Sequence, residues 1–171
     1  MAGSRARLLV GAVRGSAMAL CIALLIAGCA PPAHAASPDS AMLADDANYE
    51  RSSRSIGQLR RSEALDKIAL AWAKQMAKTA QGKCAISSTG LRHNSKLSSQ
   101  LPAGWRKSGE NVGCGYRVSG PSGMVAAWMG STGHRRNILD SEFNHIGVGY
   151  VVDDHGTPWG VQVFARYNSP L

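Results

Sequence analysis

The sequence is poor in several features that would announce a function. No internal repeat is visible, which excludes a solenoid or propeller. Lysine and arginine number 19 against 11 acids, giving a formal charge of +8, but they are spread along the chain. They have no interleaved aromatics and no recognised nucleic-acid motif, so nucleic acid is not the expected partner. No H-x-x-x-H pair suggests a structural zinc, and no G-x-S-x-G suggests a hydrolase elbow. Uncharged apolar sequence is also short. The run from Ala17 to Ala27 falls below the about 20 residues that a membrane-spanning helix needs. Cysteine is limited to four, at positions 21, 29, 84 and 114.

What is present at the start has the layout of a secretory signal. Arg5, Arg7 and Arg14 precede the apolar run, and residues 1–28 read as the signal peptide. Two exits are legible. "IAGC", residues 26–29, resembles a lipobox that would make Cys29 the lipid-bearing first residue. "AHA", residues 33–35, resembles an ordinary cleavage site that would leave Ala36 first. Both lead out of the cytoplasm, to secretion or to an envelope lipoprotein. Without the three signal arginines the charge is 8 − 3 = +5, mildly attractive to an anionic envelope. Residues 29–48 read as an Ala/Pro/Ser-rich tether or leader, with structure beginning near Leu43 and one domain over 49–171. Cys21 lies in the signal, and Cys29 is lipidated or removed. Cys84 and Cys114 remain, and outside the cytoplasm thiols tend to pair. One disulfide closing about 30 residues is expected, contributing on the order of 3 kcal/mol. Two free buried thiols are the alternative.

Helical spacing marks a short helix within residues 42–57 and a stronger one over 62–80. In the latter Leu65, Ile68, Ala69, Trp72, Met76 and Ala80 form a stripe, with Trp72 and Met76 as core. Residues 79–113 read as mostly loop, with one short helix near Lys96–Leu101. A helix resumes in "GPSGMVAAWMGS", and a single turn follows in "HRRNIL". "HIGVGYVV" and "WGVQVFARY" then alternate with period two and read as a hairpin around "DDHGTP". Gly147 and Gly149 share one strand face and would admit a close neighbour. Helices first and a hairpin last predict an α+β fold, layered α–β–α with an antiparallel sheet.

Glu110 stands out in "SGENVGCGYR", where a glycine-rich turn carries a glutamate. Its candidate companions are histidines. His155 reads as a solvated turn residue and His145 as a surface residue. His93 in "LRHN" and His134 in "GHRRN" lie at element boundaries, where a lone histidine is more often structural than functional.

"LRHN", "SGENVG", "VAAWMGSTGHRRNIL", "IGVGYV" and "WGVQVFA" occur in the order and spacing of bacterial members of the CAP superfamily. These SCP-like domains are related to cysteine-rich secretory proteins, antigen 5 and plant pathogenesis-related proteins, and the resemblance covers about residues 50–168. It implies a three-layer α–β–α sandwich with a central antiparallel sheet. It also implies a cleft of two histidines and two glutamates. His93, Glu110 and His134 match three of these. The fourth position, three residues after Trp128, is Ser131, so the second acid is missing. Glu110 would then point from a turn into the shared cleft, and a Cys84–Cys114 bridge would brace it. Asn111 and Asn137 are expected to hydrogen-bond the cleft loops, and Trp128 to be core.

The resemblance further implies a ligand-binding cleft for a lipid, sterol or cell-wall component. No cofactor is required, although His93 and His134 with Glu110 would hold a divalent metal such as zinc weakly. The alternatives are a glycan-cleaving enzyme with Glu110 as acid and then base, and a non-catalytic interaction domain. A Ser131–His134 protease lacks an orienting acid. The expected state is a monomer that meets membrane only through an N-terminal lipid.

Overall fold

The computed structural model describes residues 37–115 and 119–169. The signal segment, Cys29 and the two exits lie outside the described residues.

The first helix, α1 (Pro38–Ser52), starts earlier than its composition suggests. Ser37 accepts the Ser40 N–H at 3.2 Å as N-cap, and Pro38 takes the first helical position, where no N–H is needed. Leu43, Ala44 and Ala47 are fully buried or nearly so. Residues 38–48, expected as tether, are therefore the first turns of a core helix. Arg51 near its end is buried and reaches the carbonyls of Gly57, Ile138, Asp140 and Phe143 at 2.7–3.2 Å.

After a two-residue strand, β1 (Arg60–Arg61), comes α2 (Glu63–Ala80). Ser62 caps it, Glu63 and Asp66 sit in its first turn, and Gln81 ends it in the left-handed conformation. Leu65, Ala69, Ala73, Met76 and Ala80 form its buried stripe. Trp72 is half-buried rather than core. Its indole N–H donates to the Arg92 carbonyl at 3.0 Å, which holds it at the rim.

The remaining elements are α3 (Leu97–Gln100), β2 (Trp105–Cys114), α4 (Gly120–Gly130), α5 (Thr132–Leu139), β3 (His145–Val152) and β4 (Pro158–Tyr167). The sheet order is β1-β3-β4-β2, antiparallel except for the short parallel pairing of β1 with β3. One face carries α1, α4 and α5 over Ile146, Val148, Tyr150 and Phe164. The other carries α2 over Val161, Val163 and Ala165. This is the α–β–α sandwich. A Cβ on Gly147 would lie 2.1 Å from the Leu65 carbonyl carbon, and one on Gly149 2.4 Å from the Leu70 Cα. The two glycines let α2 lie against β3 backbone to backbone.

The largest departure from expectation is β2. Glu110 is not on a turn. It lies in a ten-residue strand, opposite Val163 of β4. Gly109 and Gly113 disguised that strand, and neither adopts a positive φ. They are there for packing: a Cβ on Gly109 would meet Phe143 and Asn137, and one on Gly113 would meet Trp128 and Met124. The disulfide joins Cys84, in the loop after α2, to Cys114 at the end of β2, with 5.6 Å between Cα atoms. His145 is buried at 3% exposure, not a surface residue. Its Nδ1 pairs with Asn144 Oδ1 and its ring meets Tyr167 edge-on. His155 is exposed in the β3–β4 turn, as read.

Candidate functional site

β2 is the sheet's edge strand, so its outer carbonyls need partners other than a strand. Asn137 of α5 donates to the Glu110 carbonyl at 3.1 Å, and the Trp128 indole of α4 donates to that of Val112 at 3.0 Å. Trp128 is core, at 2% exposure. The helices thereby cover the edge and bring the N-terminal turn of α5 beside Glu110.

A cavity of about 300 Å³ opens at this place, lined by His93, Glu110, Ser131, Gly133, His134, Arg136 and Asn137. All four residues expected in the cleft are present. His93 comes from the segment between α2 and α3, with its imidazole 66% exposed, and Glu110 from the strand, with its side chain 5% exposed. His93 Nδ1 lies 2.8 Å from Glu110 Oε1, and the Asn94 N–H donates to the same oxygen at 2.9 Å. Oε2 is buried and has no hydrogen-bond partner among the described residues. An unpaired buried acceptor costs about 1–3 kcal/mol, which marks this oxygen as the unusual atom of the site.

Electrostatics follow from burial. Desolvation raises the Glu110 pKa, against the Asn94 N–H and His93, which both favour the ionised form. Desolvation lowers the His134 pKa, and the charge of nearby His93 lowers it further, so His134 favours the neutral imidazole.

An amide network fixes the frame. Asn111 donates to the His134 carbonyl at 3.1 Å and to Gln162 Oε1 at 3.0 Å. Asn137 donates to Asn111 Oδ1 at 2.9 Å, and Gln162 donates onward to the Leu43 carbonyl. Asn111 and Asn137 thus play the supporting part expected of them. Gln162, Asn94, Gly133 and Arg136 were not anticipated. Arg136 could have been found, two residues after His134 on a short helix. Gln162 was hidden as the inward polar residue of an apolar strand.

The expected metal set does not fit. Among the described residues no three His, Cys, Asp or Glu side chains are placed to share one ion. Glu110 Oε1 instead accepts from the Asn94 N–H and pairs with His93 Nδ1.

Comparison with known proteins places this geometry in context. Residues 44–164 match the cysteine-rich secretory protein family, CAP. The uncharacterized protein YkwD of Bacillus subtilis is 33% identical over 121 residues, which cover 70% of this chain and 44% of YkwD. The chain therefore spans less than half the length of that curated relative. An outer surface protein from Borrelia burgdorferi superposes with a TM-score of 0.62 at 15% identity, over 77% of this chain and 95% of its own. An extracellular SCP-domain protein from Bacillus anthracis gives 0.60 at 23% identity, over 75% of this chain and 40% of its own.

Proposed function

The chain belongs to the cysteine-rich secretory protein family, and on that premise we propose that it is an extracytoplasmic envelope protein whose His93–Glu110–His134 cleft binds a polar component of the cell wall. One observation carries this reading: the buried Glu110 carboxyl, paired through Oε1 with the exposed His93 imidazole, lines an open cavity together with His134, Arg136 and Asn137. The cavity's side chains are polar throughout, so it suits a glycan or peptide better than a lipid or sterol, which needs apolar walls. The signal-like start, the disulfide and the net positive charge agree with an envelope setting. Among the described residues no helix is long and apolar enough to cross a membrane. The intact mass of the exported protein separates lipidation at Cys29 from cleavage after Ala35.

A second reading has its own support. Glu110 has a raised pKa and lines the cavity, the properties of a general acid that then serves as base on a glycan. Among the described residues no second carboxylate lines the cleft. Incubation of the protein with purified wall tests both readings. Retention at low salt without released fragments supports binding. Fragments that disappear with Glu110→Gln support cleavage. Absence of retention and of release contradicts both.

A further inference from the structure

A larger cavity, of about 580 Å³, lies between one face of α2 and residues 92–100, and it shares no residue with the cleft. Its charge is of one sign. Lys67, Arg92 and Lys96 line it, and among the described residues no acid does. Lys67 is paired with Glu63 at 3.0 Å, but both side chains are more than half exposed and such pairs are worth little. Among the described residues Arg92 and Lys96 form no ion pair. Another cavity, of about 560 Å³, gives the contrast, since Asp153 and Asp154 line it beside Lys74 and Lys78. Arg92 is also held in place. Its guanidinium lies 5.0 Å from the centre of the Trp72 ring, and Nη1 donates to the Gly90 carbonyl at 2.8 Å and to the Thr79 hydroxyl at 3.2 Å. A planar cation that is already stacked and anchored loses little freedom when it takes an anion. The rest of the lining indicates what carries that anion. Ile68, Ala71 and Trp72 give a short apolar strip, too small to enclose an acyl chain, while Gln75, Ser95 and Gln100 give uncharged hydrogen-bonding groups.

We propose that this groove is a second binding site, for the acidic sugars of an anionic glycan, with the sugar carboxylate on Arg92, Lys96 beside it, and the ring hydroxyls on the amides of Gln75 and Gln100. A carboxylate and a guanidinium match as planar forks, which gives direction as well as charge. The inference goes beyond the proposed role of the cleft and does not need it. The two sites are nonetheless neighbours: buried Asn94 lines the groove, and its N–H donates to Glu110 of the cleft at 2.9 Å.

The test is titration calorimetry on the exported protein, at about 0.15 M salt to screen diffuse attraction, with trigalacturonic acid, its methyl ester, inorganic phosphate and phosphatidylglycerol vesicles. The acid should bind at least about tenfold tighter than the ester. Arg92→Gln should weaken it at least about tenfold, and Arg92→Lys nearly as far, because an ammonium neither stacks nor forks. Lys96→Gln changes an exposed side chain without an ion pair. It should weaken binding about threefold with Tm unchanged, and it keeps the test open if the Arg92 variants fold poorly. By NMR the Trp72 indole N–H should shift on binding while the His134 imidazole stays in place. Acid and ester bound alike, phosphate or vesicles bound as tightly as the acid, undiminished binding by Arg92→Lys or Lys96→Gln, or a shift of His134 without Trp72 would each overturn the inference. Any of these leaves retention of wall by the cleft as it was, and loss of that retention leaves binding of the uronate as it was.

Discussion

Glu110 has two oxygens in unlike surroundings. Oε1 accepts from the Asn94 N–H and pairs with His93, while Oε2 is buried with no partner among the described residues. Burial raises the carboxyl pKa above its usual value of 4.5. Between the unfolded and folded pKa values the native state binds the extra proton. Stability therefore falls as pH rises through that window, and the loss is complete above the folded value. Glu110→Gln removes this dependence. The variant is expected to be more stable than the parent at pH 7, by on the order of 1 kcal/mol, because a neutral amide is buried in place of a charge. The difference should shrink towards pH 4. His134 works in the opposite sense: its pKa is depressed below 6.5, so acid protonates the unfolded chain first and destabilises the fold. That contribution is common to both proteins. Thermal melts from pH 4 to 8 check the prediction, and parallel curves for parent and variant would contradict it.

At the scale of elements, the close approach of α2 to β3 is the tightest constraint. Gly149→Ala would set a methyl 2.4 Å from the backbone of Leu70, which cannot yield as a side chain can. A loss of about 3 kcal/mol is expected in denaturant titration. Gly130→Ala, with nothing within 4 Å, should instead stabilise by about 0.5 kcal/mol. The disulfide joins the loop leading to His93 to the strand bearing Glu110. Cys84→Ser should cost about 3 kcal/mol for its 30-residue separation. It should also disturb the His93 resonance, whereas an unchanged melting temperature would show that the bridge braces nothing. These elements were not equally legible in the sequence. β3 and β4 alternate cleanly, because one face packs on helices α1 and α4 and the other on α2, so period two survives in the residues. β2 does not alternate. Its glycines make room for Phe143, Trp128 and Met124, contacts that no local pattern records. The start of α1 was obscured because Ala, Pro and Ser serve equally as linker and as capped first turn. His145 read as exposed because its burial depends on Tyr167, far along the chain.

At the scale of the whole molecule, the cleft exists because both layers overhang the free edge of one sheet. The α2-side loop supplies His93, the edge strand supplies Glu110, and the helical layer supplies Ser131 and His134. Family resemblance made that convergence legible, while residue spacing did not, since the three titratable groups are separated by 17 residues and more. The chain's excess of base should draw it to an anionic wall, and screening should weaken retention as salt rises from low ionic strength to about 0.5 M. The central claim is that wall material is bound in this cleft and not merely on a basic surface. Histidine NMR with solubilised wall fragments tests it most directly, because His155 in the exposed β3–β4 turn is an internal control. The account predicts that the His93 and His134 imidazole resonances shift saturably while that of His155 stays in place. Shifts confined to His155, or none at saturating fragment, would contradict it.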